Sequence, residues 1–369
     1  MPFIDTDRLE YDFLVFIGRF QIPHHGHFHI IKEALKKSHI LILGIGSANL
    51  SRSLKNPFTV NERVEMIANS GIPEILEAYE AGRIIIMPLD DFPYKDGAWV
   101  HQVINGVNHC TAGVRHARVG LIGCSKDASS YYLKLFPCWP AVSVPVQGDF
   151  NSTACRNGFY ELTYYTPTEA STNLYKSTTP QVVSYISQWM IINHEQYVAF
   201  QHEHAFIKNY KKSWEAAPFP PTFNTVDAVV FHKHDVLVIK RGDHPGKGLF
   251  AVPGGFLNPQ EEQVDACLRE LKEETGLRIA YPEVDYGVSV ELAPWIVEEK
   301  TFGAPGRDPR GRTITQAFCL CLPNACAPII EAGDDAAEVM WLPVKDVDPR
   351  NFIADHAFMI QYFAEKYIV

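Results

Sequence analysis

Apolar positions along the first part of the chain switch between two patterns. "FLVFIGRF" (13–20) is a continuous apolar run ending in a turn, as expected of a buried strand. "HGHFHIIKEALKKS" (25–38) carries Phe28, Ile31 and Leu35 at helical spacing and closes in lysines, which suit the negative end of a helix dipole. "HILILGIGSA" (39–48) is a second buried strand. Strand, helix and strand within about 35 residues make a βαβ unit and predict a parallel sheet. The alternation continues with a helix over "NERVEMIANSG" closed by Gly71, a strand over "GRIIIMPL", a helix over "AWVHQVINGVNHC" and a strand over "RVGLIG". This is the pattern of a Rossmann-like, doubly wound α/β domain, which binds ligands at the carboxyl ends of its strands.

The pattern changes after about residue 185. "ISQWMIINHEQYVAFQHEHAFIKNYKKSW" (186–214) reads as helix throughout, and "EAAPFPPTFNT" then brings Pro218, Pro220 and Pro221, a linker composition. A new set of elements opens with "VDAVVFHKHDVLVIKR", two strands around a polar turn at His232 to Asp235. The expected organisation is one domain over 1–195, a helical segment and Pro-rich linker over 196–222, and a second domain over 223–369.

Composition adds exclusions. The 369 residues suffice for two cores, and 46% hydrophobic with 21% charged residues is ordinary for a globular protein. A net charge of −10 argues against a general nucleic-acid or membrane-surface binder, while leaving room for a local basic pocket for a phosphorylated small molecule. No apolar run approaches a membrane span, and the first residues lack a signal-peptide pattern. The 8 cysteines are scattered without a CxxC pair, so reduced thiols in a cytoplasmic protein are expected.

Residues 255–277, "GFLNPQEEQVDACLRELKEETGL", carry the sharper chemistry. Val264, Cys267, Leu268 and Leu271 form an apolar helix stripe, and Glu270, Glu273 and Glu274 fall at i, i+3 and i+4 on another face. Carboxylates at that spacing repel one another unless a cation sits among them. Hard oxygen ligands without His or Cys favour Mg²⁺, or Mn²⁺ in its place. Gly276 suits a left-handed helix end, and Gly254 and Gly255 permit a tight turn before the helix. A solvated acidic helix face is the alternative.

The whole ordered pattern, from Gly255 through Glu261 and Arg269-Glu270-Leu271 to Glu274 and Gly276, resembles the Nudix hydrolase signature at every fixed position. The resemblance implies an α+β fold with a mixed sheet between helices, and hydrolysis of a nucleoside diphosphate linked to another group. It also implies Mg²⁺ held by Glu270 and Glu274 with Glu273 in support, while Arg269 orients the glutamates. "GRDPRGRTITQAF" (306–318) places Arg307, Arg310 and Arg312 in a loop before a strand, where guanidinium forks suit phosphate or ribose; a solvated basic loop is the alternative for each. Arg310 and Arg312 are taken as substrate contacts. They fit a Nudix enzyme for ADP-ribose, as does "NFIADHAFMI" (351–360), which resembles the C-terminal helix of that group. Glu338 is a further candidate ligand or base.

"GRFQIPHHGHFHII" (18–31) raises the question of what its four histidines bind. A zinc site needs three good ligands, and this stretch has no HExxH glutamate and no nearby Cys. His29 suits a core and His25 a solvated turn. His24 and His27 flank Gly26 where a strand feeds a helix, a junction that aims backbone N–H groups at an anion. Imidazoles there can donate to phosphate oxygens and stabilise charge as a bond to phosphorus breaks.

This stretch resembles the HxGH nucleotidylyltransferase superfamily. "GSANLSRSLKNPFTVNERVEMI" (46–67) and "GCSKDASSYYLKLFP" (123–137) are similar to its nicotinamide mononucleotide (NMN) adenylyltransferase branch, and "NSTACR" (151–156) approximates a second signature. The resemblance implies catalytic roles for His24, His27 and Arg156. It implies substrate contacts for Gly18, Arg19, Phe20, Asn56, Arg63, Lys126, Asp127, Ser152 and Thr153. Trp99 matches an aromatic that stacks on nicotinamide in relatives, with core packing as its alternative. Three departures bear on fine substrate preference: Ile22-Pro23 displaces a proline by one position, Cys124 stands where relatives often carry His, and Cys155 replaces an aliphatic residue.

Together these resemblances imply a bifunctional enzyme. One domain would transfer AMP from ATP to NMN, giving NAD and pyrophosphate. The other would hydrolyse ADP-ribose to AMP and ribose 5-phosphate with Mg²⁺. The expected partners are ATP, NMN and ADP-ribose, with no nucleic acid or membrane and with room for a homo-oligomer. Rival readings are an adenylyl- or cytidylyltransferase for another phosphorylated acceptor beside a Nudix hydrolase of different specificity, and a NAD-responsive regulator.

Overall fold

The computed structural model describes residues 9–124, 135–145, 148, 150–162, 169–280, 291–333 and 336–368. The chain divides into two compact units, Met1–Gln201 and His202–Val369. Among the described residues no helix is long and apolar enough to cross a membrane.

The first unit is built on a parallel sheet of β1 (Tyr11–Gly18), β2 (Ser38–Ile45), β3 (Ile84–Pro88), β4 (Val119–Gly123) and β5 (Ala141–Ser143), in the order β3-β2-β1-β4-β5. β1 has a parallel neighbour on each side, Val15 aligning with Ile42 and with Leu121, so its apolar run is buried on both faces. Its side chains alternate between two cores. Leu14 and Phe16 pack with Ile31, Leu41 and Met66, whereas Phe13, Val15 and Ile17 pack with Ile42, Val103 and Leu121. Each fully buried aliphatic of this kind contributes about 1.5–3 kcal/mol.

The helices are α1 (His25–Lys37), α2 (Val60–Ala68), α3 (Pro73–Glu80), α4 (Asp96–Thr111), α5 (Ser152–Tyr160), α6 (Glu169–Ser177), α7 (Pro180–Ile192) and α8 (His194–Lys212). α3 was not legible in the apolar pattern; it starts on Pro73 at its first turn and buries only Ile75 and Ala78. The segment expected to be one helix over 186–214 is two. The break falls at Asn193, whose backbone leaves the helical region (φ −110°, ψ 42°) and whose Nδ2 donates to the carbonyl of Trp189 at 3.1 Å. The backbone N–H of Asn193 reaches the same carbonyl at 2.8 Å, so this asparagine folds its own side chain back onto the last turn and ends a helix that hydrophobic periodicity alone would continue. Strand order reverses between β1 and β4, which opens a crevice at the carboxyl end of β1 where α1 begins.

The second unit centres on a mixed sheet. β6 (Thr222–His232), β7 (Asp235–Arg241), β11 (Ile296–Phe302), β12 (Arg312–Leu322) and β14 (Ala336–Pro343) run in the order β11-β12-β6-β7-β14. The short strands β8 (Phe250–Ala251) and β9 (Gly254–Phe256) pair with β7 and β6. β10 (Arg278–Ala280) and β13 (Ala327–Ile329) form a separate pair. β6 and β12 are parallel and the other pairings antiparallel. The turn between β6 and β7 is two residues, with Lys233 at φ 56°, as a tight hairpin requires. α9 (Gln263–Thr275) lays Ala266, Cys267 and Leu271 on Val226, Ala228 and Leu320; α10 (His356–Tyr367) closes the chain. Gly276 ends α9 in the left-handed conformation at φ 54°.

Candidate active sites

In the first unit β1 runs out at Gly18, and the chain reaches α1 through Arg19 to Pro23, with His24 as the extended N-cap. Phe20 adopts a positive φ of 53° and turns its ring inward, against Phe16 (5.3 Å between centroids) and His27 (4.8 Å). That ring lies on Gly18, where a Cβ would come within 2.9 Å of Phe20 Cζ. Gly18 and Phe20 therefore shape the loop, and the Phe20 side chain is spent on packing. The loop is pinned by Gln21, which donates to the Phe58 carbonyl (2.7 Å) and accepts the Phe58 N–H (3.0 Å).

His24 and His27 form one unit. Their rings stack at 3.7 Å, the backbone N–H of His24 meets His27 Nδ1 at 3.2 Å, and His24 Nε2 lies 3.2 Å from Ser152 Oγ. Because Nδ1 of His27 accepts, the neutral ring carries its proton on Nε2. A Cβ at Gly26 would press on the His24 ring at 3.2 Å. His25 and His29 are both half-buried, so the core expectation for His29 holds only in part.

Arg156, on α5, donates to the Gln21 carbonyl (2.7 Å) and to Thr153 Oγ1 (3.1 Å), so Ser152, Thr153 and Arg156 all converge on the HxGH loop. Arg19 has a buried Nη1 with no hydrogen-bond partner. The surrounding protein lowers the pKa of Arg19, of Arg156 and of the solvent-exposed Lys55, and Arg19 lowers the other two further. Asp91 offsets this for Arg19 and Lys55. Asn56 is buried with Oδ1 unpartnered. Such a set has the chemistry of a polyphosphate cradle.

Arg63 lies elsewhere in the arrangement. It is 1% exposed, and its guanidinium donates to the carbonyls of Arg19 and Gly46 (both 2.7 Å) and of Thr59 (3.1 Å). Through Nε and Nη1 it ties three backbone segments together, and these bonds leave Nη2 unused. Trp99, half-buried on α4, packs on Phe136 at 5.8 Å. Lys126 and Asp127 lie outside the described residues. Sequence reasoning passed over Gln21 and Asp91. Asp91 accepts from Ser47 Oγ at 2.7 Å, and its position just after β3, at a strand's carboxyl end, was the available signal.

In the second unit, β9 and α9 bring the glycines and glutamates together. Glu274 is 7% exposed and Oε2 accepts the Gly254 N–H at 2.9 Å. Burial pushes its carboxyl up to about 8, with Glu270 and Asp227 raising it further. Burial also raises Glu270, whose carboxylate lies against Gly255; a Cβ there would collide with it. Arg269 grips the acids from one side, donating to both oxygens of Glu261 (2.7 and 2.9 Å), to Glu270 (2.8 Å) and to the exposed Glu273 (2.9 Å). It holds Glu261 down to about 2. Among the described residues no three acids, histidines or cysteines are gathered as a preformed metal cage. The donor chemistry still suits a hard divalent cation, because a buried Glu274 raised by Glu270, and a half-buried Glu270 raised by Glu273 and Glu261, are all relieved by positive charge.

The loop arginines separate. Arg307 is buried and bidentate on Asp355 (2.8–3.1 Å), which corrects its expected role as a phosphate or ribose contact. Arg310 is clamped by Asp308 and lies over the rings of Phe256 (4.9 Å) and Tyr210 (5.8 Å). Arg312 donates to the carbonyls of Gly303 and Ala304 from an exposed position. Glu338, exposed on β14, is paired with Lys240 at 3.0 Å.

Known proteins divide the chain in the same way. Residues 15–91 match the cytidylyltransferase-like family and residues 221–363 the NUDIX domain. The chain is 41% identical over 153 residues to the nicotinamide/nicotinic acid mononucleotide adenylyltransferase of Acinetobacter baylyi, a match covering 41% of this chain and 77% of that protein. It is 35% identical over 136 residues to the ADP-ribose pyrophosphatase of Methanocaldococcus jannaschii, covering 37% of this chain and 69% of that protein. A crystal structure of a bifunctional NMN adenylyltransferase/ADP ribose pyrophosphatase from Francisella tularensis, complexed with AMP and a Mn ion, superposes with a TM-score of 0.81 at 32% identity. That match covers 96% of this chain and 99% of the other. With a nucleotidylyltransferase loop on one sheet, a Nudix helix on another and a relative that matches both, the chain belongs to the bifunctional NMN adenylyltransferase/ADP-ribose pyrophosphatase family.

Proposed function

We propose that the first unit transfers AMP from ATP to NMN, giving NAD and pyrophosphate, and that the second hydrolyses ADP-ribose to AMP and ribose 5-phosphate with Mg²⁺. We assign the two activities to residues 1–195 and 223–369. The observation that carries the first is the buried, unpartnered Nη1 of Arg19 beside Arg156 and the His24–His27 pair. Such an assembly of cations and donors is costly to bury until an anion joins it.

An oxygen of the NMN phosphate attacks the α-phosphorus of ATP as the bond to the pyrophosphate oxygen breaks. No side-chain nucleophile is needed, so the protein's work is positioning and charge stabilisation. His27 would donate from Nε2 to a phosphate oxygen, Arg19 and Arg156 would neutralise the leaving pyrophosphate, and Ser152 would hold His24 in place. Asn56 would offer its buried Oδ1 to a donor on the nucleotide.

In the second unit, Glu270 and Glu274 would hold the divalent ion, with Glu273 in support; Arg269 would orient Glu270 and Glu273 by direct contacts, and the Gly254 N–H would orient Glu274. When bound, the ion polarises the pyrophosphate and eases deprotonation of the attacking water. Arg310, fixed by Asp308, would meet the substrate from its place over Phe256.

The test is direct. Purified protein is given NMN with ATP, and separately ADP-ribose, each with and without Mg²⁺, alongside Glu270→Gln and Glu274→Gln. Formation of NAD, and metal-dependent AMP release lost in both variants, are expected. Failure to form NAD while another phosphorylated acceptor is adenylylated would overturn the first assignment, and full hydrolase activity in the two variants would overturn the second.

A further inference from the structure

Behind the Nudix carboxylates lies a buried polar network that the reaction above leaves without a role. Arg307, whose side chain is 5% exposed, holds both oxygens of Asp355, and its Nη2 lies 3.7 Å from Asp227 Oδ2. That oxygen also accepts from Thr315 Oγ1 at 2.6 Å. The other oxygen of Asp227 lies so close to Gly254 that a Cβ there would collide with it. Gly254 in turn gives its N–H to Glu274. Asp355 is the N-cap residue of α10, and the next residue, His356, accepts the Val252 N–H at Nδ1 (3.1 Å). The Pro253 carbonyl is taken by the Ala228 N–H at 2.8 Å. The segment Val252–Gly254 is thus fixed residue by residue, and both of its polar anchors, Asp227 and the Asp355–His356 corner, meet at one guanidinium.

We propose that Arg307 is a positioning residue for the Nudix site. By pairing with Asp355 and Asp227 it holds the Val252–Gly254 segment, and through the Gly254 N–H it sets where the Glu274 carboxylate stands. Stability alone explains such a group poorly, since a buried ion pair is often no better than an apolar replacement. Geometry explains it better: groups behind metal-binding side chains typically govern affinity or activity by 10–100-fold, and a shift of about 1 Å at a reacting site costs about 100-fold. Only the arginine fork spans both Asp355 oxygens while reaching Asp227.

The activity readout rests on the proposed hydrolase function; a second readout does not. The full chain is made as Arg307→Lys and as Thr315→Val, the latter removing only the hydroxyl on Asp227. Steady-state kinetics on ADP-ribose are combined with Mn²⁺ binding measured by electron paramagnetic resonance without substrate, and NAD formation reports the integrity of the first unit. For Arg307→Lys the expected result is kcat lowered about 10–100-fold, KM within about twofold and Mn²⁺ bound about 10-fold more weakly, with NAD formation unchanged. Thr315→Val should move kcat and Mn²⁺ binding the same way by a smaller factor, and it carries the test if the lysine variant does not fold. A raised KM at unchanged kcat for Arg307→Lys would make Arg307 a substrate contact and overturn the proposal, as would unaltered Mn²⁺ binding in the folded variants. If the unmodified protein fails to cleave ADP-ribose, that substrate assignment falls, and Mn²⁺ binding alone decides the network.

Discussion

The backbone N–H of His24 meets Nδ1 of His27 at 3.2 Å, and this single contact settles which nitrogen of His27 bears its proton. Under the proposed reading, Nε2 would donate to a phosphate oxygen. His27→Ala should lower kcat for NAD formation by about 100–1000-fold, the usual loss when one donor to a developing charge is removed. ADP-ribose hydrolysis should be unchanged. Paired assays of both activities on one preparation test this; comparable loss of both would show damage to the fold instead.

Arg63 gives a contrasting expectation. Its guanidinium serves three carbonyls and is buried. Arg63→Ala should therefore destabilise the first unit by about 2–3 kcal/mol, from the Arg19 and Gly46 carbonyls left unsatisfied (the Thr59 carbonyl keeps the residue's own backbone N–H), with a lowered unfolding midpoint even without nucleotide. A variant with an unaltered midpoint and a selectively raised KM for ATP or NMN would restore the direct substrate contact expected from its motif.

The two glycines before α9 should respond differently to the same change. A Cβ at Gly255 would meet the end of the Glu270 side chain, which can move, whereas one at Gly254 would meet the backbone carbonyl of Val226. Gly255→Ala is expected to keep the fold and lose hydrolysis by about 100-fold through displacement of Glu270. Gly254→Ala should lower the stability of the second unit by about 2 kcal/mol or more. Denaturant titrations beside ADP-ribose assays separate the cases, and identical behaviour of the two variants would contradict this reading.

His356 sets a pH dependence. Its Nδ1 accepts from Val252, and burial holds its pKa below the ordinary value; Asp227 and Asp355 favour the proton while Arg307 and Arg241 oppose it. The unfolded chain takes up that proton near about pH 6.5, where the folded chain resists it. Stability from this group is therefore present above about pH 6.5 and is lost as pH falls from there through the lower pKa of the folded state. Urea midpoints of the second unit at pH 7.5 and 5.5 should differ more in the natural protein than in His356→Gln, whose amide keeps an acceptor without titrating. Equal shifts would remove His356 from the account.

What could be read in the sequence was what short spacing encodes. The HxGH register, the i, i+3, i+4 glutamates and the Gly276 helix end depend on residues a turn or two apart, and both units follow from the alternation of apolar runs. Arginines were not legible in the same way. Arg63 reaches the carbonyl of Arg19, 44 positions away, and Arg307 reaches Asp355, 48 positions away, so each is turned inward by partners that only the folded chain supplies. Nothing local distinguishes a guanidinium that meets a ligand from one that ties loops together. Asn193 escaped notice because its helix-ending bond runs to a carbonyl one turn back, against an uninterrupted apolar rhythm.

Arg269 touches Glu261, Glu270 and Glu273 with one side chain. A guanidinium in that position acts as a caretaker cation: it keeps mutually repelling acids assembled in the absence of any dissolved ion. The entropy of gathering them is lost when the chain folds, not when metal arrives. Under the proposed hydrolase reading, a divalent ion would meet Glu270 and Glu273 already drawn together by Arg269 and Glu274 placed separately by the Gly254 N–H, so less of its binding energy would go into gathering acids.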